Sequence, residues 1–128
     1  MRLIVAGSRT IEDYETVRDA IDRVVRIYGM PTEIVSGTAR GADLLGERWA
    51  DEHDVPVRCF PAEWDRFGKS AGPKRNAQMA EYAAAAPDGT LLAVWDGTSR
   101  GTASMIRIAE QMGLRIERAI SPPMPIEG

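Results

Sequence analysis

The stretch TEIVSGTARGADLLGERWADEH, from Thr32 to His53, contains a strand, a turn and a helix in direct succession. TEIVSG is a short apolar run of strand-forming residues, and ADLLGERWADEH places Ala42, Leu45 and Trp49 along one helical stripe. Between them, SGTARGAD supplies two glycines, two hydroxyls and an arginine. This order predicts a β–α unit with a polar turn at the carboxyl end of its strand.

The same alternation runs through the rest of the chain. Further strands are predicted in RLIVA (2–6), VPVRCF, GTLLAVWDG and LRIERAI, and further helices in DYETVRDAIDRVVRIYG, PKRNAQMAEYAAAA and GTASMIRIAEQMG. Alternating strands and helices predict an α/β fold, here a Rossmann-like three-layer α/β/α arrangement around a mostly parallel five-stranded sheet. We expect the strand order 3-2-1-4-5, one domain over residues 1–120, and a flexible Pro-rich tail over residues 121–128.

Composition narrows the class of protein. The chain has 128 residues and a formal net charge of −3, which argues against broad nucleic-acid binding because that needs a basic face. No apolar run is long enough to span a membrane. Cys59 is the only cysteine, so it forms no disulfide within the chain, and we expect it to be a packed core thiol in a cytoplasmic protein. His53 is the only histidine; we therefore expect no metal site and no cofactor.

Three loops of similar chemistry follow the first, second and fourth predicted strands. They are GSRT, SGTARGAD and WDGTSRGT, and each combines glycine, hydroxyl and arginine. In a sheet of the expected order, these loops converge on one crevice beyond the carboxyl ends of the strands. Helix starts and guanidinium groups both bind anions, and the candidate arginines are Arg9, Arg40, Arg75 and Arg100. The loops together predict an anion or nucleotide site.

Two familiar phosphate motifs are absent. GKS at Gly68–Ser70 follows no predicted strand, and Glu63 stands where a P-loop requires its first glycine. The dinucleotide pattern G-x-G-x-x-G does not occur, which argues against hydride transfer. The segment from Pro61 to Gly72 has no clear period and is expected to be a long loop.

The tryptophans receive different assignments. Trp49 falls on the apolar stripe of its helix and is expected in the core. Trp64, in a polar segment, and Trp95, at a strand end, are candidates for stacking on a base, with simple packing as the alternative for both.

Four ordered motifs resemble the YspA-like branch of the SLOG superfamily: VAGSRTI, VSGTARGADLLGERWA, AEWDRFGKSAGPKRNAQMA and AVWDGTSRGTASMI. The resemblance covers about residues 3 to 113. The superfamily comprises Rossmann-like domains and includes DprA/Smf DNA-processing proteins and LOG-type "lysine decarboxylase-like" phosphoribohydrolases. It implies a nucleotide or nucleotide-derived, ADP-ribose-like ligand at the strand edge, held by a sensor or ligand-binding module. The ligand-binding residues expected from loop chemistry and resemblance together are Gly7, Ser8, Arg9, Ser36, Gly37, Ala39, Arg40, Gly41, Asp43, Arg75, Asn76, Trp95, Asp96, Gly97, Ser99, Gly101 and Thr102.

Catalysis remains open at this point. LOG enzymes combine an arginine, which Arg75 matches, with a glutamate shortly after a GGxGT loop, where this chain has Ser104. Cleavage of an N-glycosidic bond needs a group that stabilises an oxocarbenium-like centre and activates water. Asp43, Asp65 or Asp96 could substitute, and the sequence does not select among them. LOG-type hydrolysis and DprA-like binding of single-stranded nucleic acid are therefore the alternatives to a binding module.

The oligomeric state has two interpretations. AEYAAAA, from Ala80 to Ala86, forms a small-residue helix face that could pack against a second copy or against the chain's own sheet. Because homodimers are common in the superfamily, a homodimer is the preferred expectation.

Overall fold

A computed structural model describes residues 1–120 of the chain; the tail predicted for residues 121–128 lies outside the described part. The elements in chain order are β1 (Arg2–Gly7), α1 (Tyr14–Tyr28), β2 (Glu33–Ser36), α2 (Ala42–Glu52), β3 (Val57–Cys59), α3 (Trp64–Phe67), a 3₁₀ turn (Gly68–Ser70), α4 (Ala71–Ala84), β4 (Thr90–Trp95), α5 (Arg100–Gln111) and β5 (Arg115–Ile120).

The five strands form one parallel sheet in the order β3-β2-β1-β4-β5. The predicted α/β fold and strand order are confirmed. In the central register, Ile4 of β1 lies opposite Val35 of β2 and Leu91 of β4. The chain builds outward from β1 to β3 and then crosses to β4 and β5, so the direction of winding reverses between β1 and β4. Open parallel sheets bind ligands at such a reversal, beyond the carboxyl ends of the strands.

The side chains of β1 divide between two apolar clusters. Leu3 and Val5 point to the face covered by α1 and α2, whereas Ile4 and Ala6 point to the face covered by α4 and α5. This alternation is the two-residue period of a strand that is buried on both sides. The result is the expected three-layer α/β/α arrangement. In the part of the chain that the structure describes, no helix combines the length and apolarity needed to cross a membrane.

Two residues of α2 place this helix against the sheet. A Cβ added at Gly46 would lie 2.9 Å from the side chain of Val5, so the helix can approach β1 this closely only with glycine there. Trp49 is 1% exposed, and its indole N–H donates to Asp22 on α1 over 3.0 Å. Its predicted place in the core is confirmed.

The prediction for Cys59 was wrong. Cys59 is exposed because it lies in β3, a three-residue strand at the edge of the sheet that pairs with β2 on one side and, within residues 1–120, with no strand on the other. An apolar run predicts burial only when another layer covers it, and little covers this edge.

The predicted long loop from Pro61 to Gly72 was also wrong. It contains α3 and a 3₁₀ turn, and α4 begins at Ala71, two residues before Pro73. Two short helical turns leave no periodic apolar signal, which explains why the sequence pattern missed them.

The small residues of α4 pack within the chain. Ala80 and Ala83 are fully buried in the cluster beneath β1 and β4. Intramolecular packing therefore accounts for two residues of the predicted small-residue face, and the homodimer stays a prediction.

Candidate functional site

A cleft of about 530 Å³ lies at the carboxyl ends of β1 and β4. It is formed by the loops after β1 and β4, by Ala39 in the loop after β2, and by the first residues of α2, α4 and α5. The predicted site residues that line it are Gly7, Ser8, Arg9, Ala39, Asp43, Arg75, Asn76, Asp96, Ser99, Gly101 and Thr102. The topology thus brings together three loops that lie far apart in sequence.

Ser8 joins the loops after β1 and β4. Its side chain is buried, its backbone N–H donates to Val94 O over 3.1 Å, and its Oγ accepts from the Asp96 N–H over 3.1 Å. These bonds extend the pairing of the two central strands past their ends. One backbone and one side-chain hydrogen bond of Ser8 therefore hold these two loops together at the cleft.

Gly7 and Gly41 are required by packing. A Cβ at Gly7 would lie 2.0 Å from Val94 O, and one at Gly41 would lie 2.3 Å from Ser8 O. Gly41 also has φ +83°, a conformation that side chains rarely adopt. Glycine at these two positions lets the backbone segments pack closely, so the fold alone requires it whether or not a ligand binds.

Arg75 connects α4 to the loop after β2. Its Nη1 donates to Gly37 O over 2.6 Å, and its Nε donates to Asn76 Oδ1 over 3.0 Å. A Cβ at Gly37 would lie 2.6 Å from Nη1, so glycine is needed for the guanidinium to reach this carbonyl. The half-buried side chain is oriented by these contacts and still lines the cleft.

Asp43 is an acidic group buried in the cleft wall. It is 5% exposed, and its Oδ2 accepts from the Ala39 N–H over 3.3 Å. Burial raises the pKa of Asp43 to about 6, although this N–H and the positive charge of Arg75 act in the opposite direction. The carboxyl can therefore exchange a proton near neutral pH.

Asp96 has the opposite environment. Its Oδ1 accepts from the N–H groups of Thr98 and Ser99 and from the Thr98 hydroxyl, over 2.8 to 3.1 Å. The Thr98 backbone bond is the largest of the effects that lower the pKa of Asp96 to about 2. This carboxylate shapes the loop before α5 and stays ionised at neutral pH.

The start of α5 faces the cleft. Ser99 caps the helix by accepting from the Thr102 N–H over 3.3 Å, and the first intrahelical bond runs from the Ala103 N–H to Ser99 O, so the N–H groups of Arg100 and Gly101 have no intrahelical acceptor. A Cβ at Gly101 would meet nothing within 4 Å. The fold does not require glycine here, whereas close approach of a ligand to the backbone would.

The two candidate stacking tryptophans are placed differently. Trp64 begins α3, is 49% exposed and lines the cleft, with its ring over Gly72. Trp95 packs against the core cluster under α4 and α5, and its indole N–H donates to Ser99 O over 3.2 Å. Only Trp64 is available to a ligand in the cleft.

A second cavity of about 370 Å³ adjoins the first and contains two more predicted residues, Gly37 and Arg40. Ser36, Gly41, Trp95 and Gly97 line neither cavity. The Ser36 hydroxyl is fully buried, donating to Glu47 Oε2 over 2.6 Å and accepting from the Thr38 N–H. Its role in this structure is to shape the loop.

Several residues that line the cleft were not among the predicted site residues. They are Ala6, Thr10, Gly72, Pro73, Met79, Thr98, Ser104 and Met105; the candidate stacking ring Trp64 and the candidate anion-binding arginine Arg100 also line the cleft. Met79 and Met105 carry a helical apolar period that indicates core, so their position at the floor of the cleft depends on the tertiary fold. Within residues 1–120, no three His, Cys, Asp or Glu side chains are grouped as metal ligands.

Comparison with known proteins gives three similarities. The family model described as YspA, cpYpsA-related SLOG family matches residues 1–67. The Gene 61 protein of Mycobacterium phage D29 is 35% identical over 122 residues, which cover 90% of this chain and 93% of the phage protein.

The third similarity is structural. DNA processing protein A (DprA) from Streptococcus pneumoniae superposes with a TM-score of 0.70 at 16% identity, over 98% of this chain and 51% of that protein. The chain therefore spans about half the length of DprA. At this identity the match shows a shared fold.

Proposed function

Because this chain belongs to the YspA, cpYpsA-related SLOG family, we propose that it binds a nucleotide or nucleotide-derived ligand in the cleft, as a sensor or ligand-binding module. One observation carries the proposal. The loops after β1 and β4 and the starts of α2, α4 and α5 enclose one cleft at the point where the sheet reverses its winding. Parallel α/β sheets bind nucleotides at this position.

The cleft offers donors for phosphate. The N–H groups of Arg100 and Gly101 lie at the positive end of the α5 dipole, and Gly101 leaves room for an anion to approach them. Arg9 is exposed at the rim, and Arg75 is held by Gly37 and Asn76 with donors to spare. A guanidinium group can donate two parallel hydrogen bonds to the oxygens of one phosphate.

The cleft also offers surfaces for a nucleoside. Met79 and Met105 are buried methionines that reach its lining, and the exposed ring of Trp64 stands at its edge. Thioether and indole groups pack well against a heterocyclic base. Asp43, Asn76 and Asp96 supply acceptors suited to ribose hydroxyls or base N–H groups.

The proposal is tested by thermal shift and calorimetry with nucleoside mono-, di- and triphosphates and ADP-ribose. We expect at least one to raise the melting temperature, and Arg9→Ala to weaken its binding about tenfold. Arg107→Ala removes the same charge from an exposed position of α5 outside the cleft lining and should bind normally. Absence of stabilisation by every compound at millimolar concentration would refute the proposal.

The environment of Asp43 favours one second function, a phosphoribohydrolase. Asp65 does not line the cleft, and Asp96, whose pKa is lowered to about 2, is a weak base, which leaves Asp43 as the carboxyl whose pKa suits proton transfer near neutral pH. In this alternative the oxygen of a water bonds to the ribose C1′ and its proton passes to Asp43 as the N-glycosidic bond breaks, and the departing base nitrogen takes up a proton from the solvent. Arg75 would orient the phosphate.

Chromatography of nucleoside monophosphates incubated with the protein tests this alternative. Hydrolysis predicts free base and ribose phosphate in equal amounts, with Asp43→Asn inactive and Asp65→Asn fully active. Intact substrate after long incubation, or full activity of Asp43→Asn, rejects the mechanism and leaves ligand binding untouched.

A further inference from the structure

The two cavities at the carboxyl edge of the sheet share a wall. The main cleft of about 530 Å³ and the second cavity of about 370 Å³ are both lined by Arg9, Ala39, Trp64 and Arg75. The second cavity extends from this wall to Gly37, Thr38 and Arg40 on one side and to Pro61 and Ala62 on the other. The binding surface is therefore longer than the cleft alone.

Two positive charges stand at the junction. Burial lowers the pKa of Arg75, and the charge of Arg9 lowers it further against the opposing effect of Asp43. Asp43 is not within 4.0 Å of the guanidinium, so the described residues provide no ion pair for Arg75. Like charges kept near each other favour an anion between them.

The guanidinium of Arg75 has donors left for that anion. Nη1 donates to Gly37 and Nε to Asn76, while no acceptor for Nη2 occurs among residues 1–120. An arginine has five N–H donors in a planar fork, so the unengaged side can bind phosphate oxygens. Its two engaged atoms fix the plane of the fork and reduce the entropy lost on binding.

From this arrangement we infer that the ligand has two lobes, with a phosphate or pyrophosphate bridge between Arg9 and Arg75 and a bulky group in each cavity. This inference rests on the proposed nucleotide site and specifies its ligand class. The main cleft, with its methionine floor, takes the base and ribose. The second cavity, with Thr38 and Arg40, takes a polar second group such as a sugar or a second nucleoside.

The test uses AMP, ADP, ADP-ribose and diadenosine diphosphate as calorimetric probes. AMP and ADP lack a second lobe. ADP has the same base, ribose and two phosphates as the two-lobed probes, but no group beyond the second phosphate. Ala62→Trp fills the second cavity only, Ser104→Trp fills the main cleft only, and Ala85→Trp adds the same ring outside both.

We expect a two-lobed probe to bind at least tenfold more tightly than ADP. Ala62→Trp should remove that advantage while AMP and ADP affinities change less than twofold, Ser104→Trp should weaken every probe, and Ala85→Trp should change none. Two outcomes would overturn the inference and leave the nucleotide site standing. One is equal affinity for ADP and for both two-lobed probes in the wild type. The other is that Ala62→Trp weakens the binding of ADP as much as the binding of the two-lobed probes. Failure of all four probes while another nucleotide binds overturns the inference alone, and failure of every nucleotide overturns both.

Discussion

Nη1 of Arg75 donates to the carbonyl oxygen of Gly37 over 2.6 Å, which fastens the start of α4 to the loop after β2. The contact crosses 38 residues of sequence and depends on the absence of a side chain at Gly37. Arg75 therefore both stabilises the packing of α4 against this loop and lines the cleft.

Arg75→Ala is expected to lower the free energy of unfolding by about 1–3 kcal/mol, because the buried Gly37 carbonyl loses its donor. Urea denaturation measures the change. Arg66→Ala is the matched control, since Arg66 is exposed and 3.9 Å from Glu63; its effect should stay within about 0.5 kcal/mol. Equal effects of the two substitutions would show that the Arg75 contact contributes little.

Asp43→Asn is expected to stabilise the protein above pH 6. The pKa of Asp43 is about 6 in the folded chain against 3.8 for the ordinary carboxyl, so the folded state binds more protons between these values. This group's contribution to stability therefore falls as pH rises from about 4 to about 6 and is constant above. Above pH 6 the free energy of unfolding of Asp43→Asn should therefore exceed that of the wild type by roughly 3 kcal/mol.

Unfolding curves of both proteins from pH 4 to pH 8 measure this difference, which should vanish at the acid end. A pH-independent gain in Asp43→Asn would contradict the assignment of a titrating group.

Asp96→Asn is expected to change stability with the opposite sign and in a lower pH range. The pKa of Asp96 is lowered to about 2, chiefly by the Thr98 N–H, so the contribution of this carboxylate to stability is complete above pH 4 and is lost as pH falls towards 2.

Gly41→Ala and Gly101→Ala should have different consequences. Alanine at residue 41 would place Cβ 2.3 Å from Ser8 O at φ +83°, and we expect it to destabilise by more than about 2 kcal/mol. Alanine at residue 101 meets open space within α5, so stability should stay equal or rise by up to about 1 kcal/mol.

Ligand affinity separates the roles of these glycines. If a phosphate approaches the α5 backbone as proposed, Gly101→Ala weakens nucleotide binding about tenfold in a fully folded protein. Calorimetry of that variant with unchanged affinity would place the phosphate elsewhere in the cleft.

Trp64 should report ligand binding by fluorescence. Its ring is 49% exposed at the cleft, whereas Trp49 is 1% exposed beneath α1 and Trp95 is packed and hydrogen-bonded to Ser99. Titration with a bound nucleotide should change the emission of the wild type, and Trp64→Phe should lose most of that change with little loss of stability. A change of full size in Trp64→Phe would assign the signal to another ring.

Much of the fold was predictable because the determinants are local. Apolar strands of three to six residues alternating with helical periods indicate a parallel sheet, and right-handed crossovers leave few strand orders. The glycine-rich loops then had to meet at the reversal between β1 and β4, and most of the predicted residues do line the cleft there.

The exposure of Cys59 and the positions of two tryptophans could not be predicted, because they depend on which other elements cover these residues. Cys59 lies in an apolar run but on an uncovered edge strand. Trp64, in a polar segment, and Trp95, at the end of an apolar strand, were both candidates for stacking on a base, yet Trp64 lines the cleft and Trp95 packs under α5. Which ring is available to a ligand depends on the elements that pack around it.

By itself, the sequence determined the α/β class, the strand order and the loops that meet at one edge, because period, glycine placement and chain direction are properties of neighbouring residues. Only the tertiary structure decided that Asp43, among three candidate carboxyls, is buried with a pKa near 6, and that Arg9 and Arg75 stand between two cavities. The physical reason is that desolvation and the interaction of charges depend on distances through space between elements that the chain itself keeps far apart.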